Sequence, residues 1–146
     1  MAPERGLKSH IVESDFLFGL SKGDKHYASV IKVLRKHGRG QLSLCVASSA
    51  VIEVRSVLYS RGLGIQTVED TLSLMDAKLA EFGVRDFTGL VLSDAISAER
   101  LRIQFPFLGF FDSLHASIGK RMKLPMLSSE RIYSKISMES VDLDRI

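Results

Sequence analysis

Apolar residues recur along this chain in two distinct rhythms. Runs at 10–12, 42–46, 87–92 and 124–127 are short and nearly continuous, as buried strands are, and the alternation at Val141 and Leu143 suits a closing edge strand. Between these runs the spacing shifts to three and four. Tyr27, Val30, Ile31 and Leu34 share one helical face over 25–37, with Asp24 as N-cap and Gly38 as the stop. Ala50, Val51, Val54, Val57 and Leu58 form the stripe of a second helix over 50–59, capped by Ser48 or Ser49. Val68, Leu72, Met75, Leu79 and Phe82 line a third, opened by Thr67 and Asp70 as an approximate capping box and stopped by Gly83. Ser93 caps a fourth helix through Ala95, Ala98 and Leu101. Pro106 breaks it, and Phe111, His115, Ile118 and Met122 mark the buried stripe of a fifth.

Strands separated by helices imply right-handed crossovers, so the expected architecture is α/β: a three-layer α/β/α sandwich around a central, mainly parallel sheet. One domain spanning 1–146 accounts for the whole pattern. At 146 residues such a domain buries about two-thirds of its unfolded surface and needs neither a disulfide nor a structural metal. The lone Cys45, inside the apolar run LSLCV, reads as a buried thiol in a reducing compartment. The amino-terminal stretch MAPERGLKSHIVESD carries charges every few residues and no signal-peptide core. The longest charge-free stretch, 40–52, is too short to span a bilayer. A cytoplasmic protein with no membrane association is expected. The formal charge of +3 fits a polyanionic partner without requiring one.

In a parallel sheet the groups just past the strands' carboxyl ends, and in the first turns of the following helices, meet in one crevice. Asp15 comes soon after the first strand, in a loop that Phe16, Leu17, Phe18 and Leu20 are expected to pack down. Glu53 falls on the border of the second helix's apolar stripe, where a carboxylate can reach over the strand ends. Asp112 opens the fifth helix about 100° round from Phe111, and Glu130 leaves the fourth strand through Ser128 and Ser129. Clustered carboxylates raise one another's pKa unless a cation neutralises them. Carboxylates without a Cys or His cluster suit hard ions that keep several waters, Mg²⁺ or Mn²⁺. Such an ion can activate water and offset charge developing on a phosphodiester. Other residues read as structural: His115 as a packed, hydrogen-bonded core histidine, Asp94 as a first-turn acid that suits the helix dipole, and Met75 as core. Lys25, Lys32, Arg35 and Lys36 read as a solvated helix face.

Taken together, the apolar strand ending near Asp15, SSAVIEV around Glu53, FFDSLHASIG around Asp112 and LPMLSSERIY ending at Glu130 resemble the PIN-domain ribonucleases. The likeness is to the VapC-type toxins and their archaeal relatives, and the block at Asp112 is its most specific part. The resemblance implies that Asp15, Glu53 and Asp112 bind Mg²⁺ or Mn²⁺, that Ser128 or else Ser129 orients the site, and that Glu130 completes the metal set. It further implies an endoribonuclease cleaving single-stranded RNA, as the toxin of a toxin-antitoxin pair whose antitoxin protein holds it inactive. Lys22, Lys25, Arg35, Lys120 and Arg121 are the candidates to guide the RNA backbone.

Two positions depart from the family. Phe16 and Leu17 follow Asp15 where a small hydroxyl residue and often Asn follow the first acid, and Glu130 stands where Asp is common. These departures suit an alternative, a non-catalytic PIN-like RNA- or protein-binding module with a drifted acidic site. An α/β phosphatase fits less well, because no Asp-x-Asp pattern follows Asp15. The aromatic block 105–111 is either core or a face for a homodimer or an antitoxin.

Overall fold

The computed structural model describes residues 8–146, so residues 1–7 of the amino-terminal stretch lie outside it. Five strands form one sheet: β1 (Ser9–Val12), β2 (Ser43–Val46), β3 (Asp86–Phe87), β4 (Met126–Ser128) and β5 (Ser140–Asp142), in the order β3-β2-β1-β4-β5. Every pair is parallel. Six helices connect them: α1 (Ser14–Phe18), α2 (Tyr27–Gly38), α3 (Ser48–Ser60), α4 (Ile65–Glu81), α5 (Leu92–Gln104) and α6 (Phe110–Met122). Two 3-10 turns, Arg131–Ile136 and Leu143–Arg145, follow β4 and β5. This is the α/β sandwich read from the sequence, with the sheet wholly parallel.

β1 is central because it is apolar on both sides. Ile11 and Val12 point to opposite faces and both are 0% exposed, so helices cover the sheet above and below. Val12 sits opposite Val46 on one side and Leu127 on the other, which levels the carboxyl ends of β1, β2 and β4. The chain steps outward from β1 to β2 and β3, then returns across β1 to β4 and β5. The strand order therefore reverses between β1 and β4, where such sheets open a crevice.

Several expected boundaries move, each for a local reason. The loop expected around Asp15 is the short helix α1, whose N-cap Glu13 accepts the Asp15 backbone N–H and whose Phe16 and Leu17 are buried. Asp24 does not cap α2: its carboxylate accepts the His26 backbone N–H, and the helix begins one residue later. α3 starts at Ser48 with no side-chain cap, because Ser49 is turned inward and Thr88 meets the Ser48 backbone N–H. Thr67 lies inside α4, which opens on Gly64, so the expected capping box is absent. Asp70 instead accepts the Gln66 side-chain amide one turn back. The third strand shrinks to Asp86–Phe87 at the sheet edge, and residues 88–91 lead into α5. Cys45 is half-buried, not buried, since β2 alternates between covered and partly open positions.

The aromatic block is split between core and surface: Leu108 is buried, whereas Phe107 and Phe110 are more than half exposed. No helix among the described residues is long and apolar enough to cross a membrane.

Candidate functional site

Past the carboxyl ends of β1 and β4 lies a cleft of about 500 Å³. Glu13, Asp15, Asp24, Glu53, Asp112 and Glu130 all line it, together with the basic side chains Lys25, His26 and Arg61. All four acids singled out in the sequence therefore face one space. β1 ends directly on Glu13, and α1 turns Asp15 back toward β4. α3 carries Glu53 in from β2, and the first turn of α6 presents Asp112.

Asp15 is held from the β4 side. The Ser129 backbone N–H and hydroxyl each donate to Asp15 Oδ2 at 2.7 Å, and Ser128 Oγ lies 3.0 Å from the same oxygen. The hydroxyls of Ser128 and Ser129 both reach Asp15. Ser128 is itself buried beneath the cleft, where it also accepts the Glu130 backbone N–H at 3.0 Å. The other carboxylate oxygen, Asp15 Oδ1, is buried and takes no hydrogen bond from a hydroxyl, backbone or basic group among the described residues.

Glu13 was not anticipated from the sequence. It is 1% exposed, accepts the Tyr133 hydroxyl at 2.8 Å and the Asp15 backbone N–H at 3.2 Å, and lies 3.4 Å from Ser128 Oγ. Burial, reinforced by the hydrogen bond and charge of Asp15, pushes the Glu13 carboxyl well above its usual range. Burial also pushes Asp15 upward, but hydrogen bonds from Glu13, Ser129 and Ser128 outweigh it and leave Asp15 low. The two neighbouring carboxyls are thus pushed in opposite directions. The available signal was position: Glu13 is the first polar residue after the apolar run of β1.

A second buried chain of bonds positions Glu53. Ser49 Oγ lies 2.6 Å from His115 Nδ1, and His115 Nε2 lies 2.8 Å from Glu53 Oε1. A carboxylate only accepts, so Nε2 donates its proton to Glu53, while Ser49 Oγ pairs with Nδ1. The order Ser, His, Glu resembles a hydrolytic triad, yet Ser49 and His115 are both 0% exposed, so no substrate reaches that hydroxyl. His115 is the packed, hydrogen-bonded histidine expected, and it also orients an acid of the cleft. Burial raises the Glu53 carboxyl, but hydrogen bonds from His115 and Ser14 more than reverse this and leave it low. Asp112 has no such set of donors. Burial raises it, and the nearby charges of Glu53 and Asp15 add to the rise against a partial offset from His115. Glu13, Glu53 and His115 each bring one ligand-type atom within 4.8 Å of the others.

Asp94 belongs elsewhere. It is 1% exposed, accepts the Val91 backbone N–H at 3.0 Å, and pairs with Arg121 Nε at 2.7 Å. Arg121, which the sequence offered as a guide for RNA, is thereby committed to Asp94 and to the Gly89 carbonyl.

The fold is similar to a chain in the crystal structure of VapBC2 from Rickettsia felis bound to a DNA fragment from their promoter. That match has a TM-score of 0.70 and 13% identity over 92% of this chain and 97% of that one. A domain of a functionally unknown protein from Methanocaldococcus jannaschii DSM 2661 matches with a TM-score of 0.55 and 16% identity, covering 92% of this chain and 89% of that one. No protein-family model matches the chain, and no curated protein does. Identities this low establish likeness of fold alone, and the fold is the PIN-like architecture that the sequence resembles.

Proposed function

We propose that this PIN-fold chain is a Mg²⁺- or Mn²⁺-dependent endoribonuclease that cleaves single-stranded RNA in the cytoplasm, as the toxin of a pair whose antitoxin protein restrains it. One observation carries the reading: acids from the end of β1, from α1, α3 and α6 and from the end of β4 converge in a single cleft. Like charges crowded together at a partly buried site are destabilising in the free protein, and a divalent cation offsets them. The donor set fits such a hard cation, since carboxylates dominate it and the His115 Nε2 proton is already given to Glu53. The partner protein is supported by the fold of the VapBC2 chain.

Asp15, Glu53, Asp112 and Glu130 would hold the metal, with Glu13 as a fifth candidate. Counting Glu13 as the first acid exchanges one departure from the family for another, a Glu in place of the first Asp. Ser14 then takes the small-hydroxyl position and Asp15 the position often filled by Asn, while Phe16 and Leu17 fall in the buried interior of α1. A bound divalent cation supplies an activated water and neutralises charge on the phosphodiester. The chain's own residues do the rest. Ser128 and Ser129 fix the Asp15 carboxylate, His115 fixes Glu53, and the first turn of α6 sets Asp112 at the cleft wall. RNA with unpaired bases gives the open backbone that a cleft of this size admits.

The test is Mn²⁺ titration by calorimetry with RNA cleavage assayed alongside, on the wild type and on Asp112→Asn. Metal binding and cleavage by the wild type, with cleavage abolished and the folded circular dichroism spectrum kept in the variant, is the expected result. Equal cleavage by both proteins would overturn the reading. Metal-independent RNA binding without cleavage would favour the non-catalytic module.

A further inference from the structure

The cleft holds a cation that none of its acids uses. Arg61 follows α3 as its C-cap and lines the same cleft as the six carboxylates, yet among the described residues its side chain makes no hydrogen bond and no ion pair. Its guanidinium carbon lies 4.8 Å from the centre of the Phe18 ring. A guanidinium held over an aromatic ring by a cation–π contact leaves its N–H groups available as donors. Such an edge matches two oxygens of a phosphate.

The geometry points to Arg61 as a clamp for a phosphate of single-stranded RNA flanking the cleaved one, an inference that rests on the nuclease reading above. Two helices build it in parallel. α1 carries Asp15 and, three residues on, Phe18, which places the acid and the aromatic platform on one face. α3 carries Glu53 and, eight residues on, Arg61, about 12 Å further along the axis. A guanidinium that pairs with none of these acids is left free for a phosphate beside the reacting one. Lys25 also lines the cleft, but no aromatic ring holds its exposed chain, so ordering it on RNA costs more side-chain entropy. The aromatic platform gives Arg61 its role: it presents a preformed fork across an acidic mouth that otherwise repels a polyanion.

A contact of this kind binds ground state and transition state alike, so it moves KM and leaves kcat nearly unchanged. It also releases counterions. Losing it lowers the salt slope of single-strand binding by about 0.7, which a merely structural role for Arg61 does not do. Binding of a fluorescent oligouridylate is measured over a salt series in Asp112→Asn, which separates binding from cleavage, with and without Arg61→Ala. KM and kcat are measured for Arg61→Ala and Arg61→Lys in the otherwise unaltered chain. The expected results are a slope reduced by about 0.7 and a KM raised about 5-fold with kcat within about twofold in Arg61→Ala. Arg61→Lys restores the slope but only part of the KM, because an ammonium lacks the planar fork. RNA binding with an unchanged slope, or a loss confined to kcat, overturns the clamp and leaves the nuclease reading standing. No RNA binding at any salt, together with no cleavage by the wild type, overturns both.

Discussion

The Tyr133 hydroxyl donates to Glu13 Oε2 at 2.8 Å, joining two fully buried side chains that lie 120 positions apart in the sequence. It anchors the 3-10 turn after β4 to the end of β1 and gives that carboxylate oxygen its donor. Tyr133→Phe removes the donor without removing the ring. The variant should lose about 1–3 kcal/mol of stability, the usual consequence of leaving one buried polar atom unmatched. Urea denaturation curves check this, with an unchanged slope expected because the fold is retained. A midpoint equal to wild type would show that Glu13 finds another partner.

Ser49 acts on the cleft only through His115. Ser49→Ala leaves the buried Nδ1 without its partner and frees the ring to turn away from Glu53. If the acids hold a metal, Mn²⁺ affinity should fall about 10-fold, the usual effect of losing an outer partner of a ligand. Calorimetric titration measures it, and Ser49→Thr, which keeps the hydroxyl, should recover most of the loss. Affinity that survives Ser49→Ala would mean that Glu53 is positioned by packing alone.

The Asp94–Arg121 pair fixes the start of α5 to the end of α6, outside the lining of the acidic cleft. Burial raises the Asp94 carboxyl, but its bonds to Arg121 and to the Val91 backbone N–H outweigh this and hold it below its ordinary value of 3.8. A carboxylate whose pKa is depressed by folding stabilises the protein above the unfolded value, and that stability is lost as pH falls through the folded value. Asp94→Asn should therefore destabilise by about 2 kcal/mol at neutral pH, combining a weakened cap and a lost charged bond. The gap to wild type should be flat from roughly pH 5 upward and should close below pH 3.8. Thermal melts at a series of pH values decide it.

The parts of the fold that follow a strong period were legible in the sequence. The stripe of α4 at Val68, Met75 and Leu79 is buried as read, and so is the core face of α2. Short elements were not legible. α1 spans five residues, and its crowded Phe16, Leu17 and Phe18 show no period, so only packing against α3 reveals it as a helix. β3 is two residues long because it lies at the sheet edge, where a run of apolar side chains need not be paired. At the site, Asp15, Glu53, Asp112 and Glu130 were visible as acids near strand and helix ends. Glu13 was missed because a strand's last residue cannot be fixed from pattern to within one or two positions, and here that margin separates two acids. Arg61 gives no sequence signal at all, since Phe18 is 43 positions away and meets it only in the folded chain.

β1 and β4 lie side by side although more than a hundred residues separate them, and the cleft opens along that seam. No hairpin or other local fragment contains it. Bringing Asp15 to Ser129 requires β1 and β4 to be paired, and closing a loop over so long a span costs chain entropy. Until then the acids are scattered along a hydrated chain and repel one another little. The crowding that readies the cleft for a cation is thus a property of the finished molecule, and a chain interrupted before β4 has no means of assembling it.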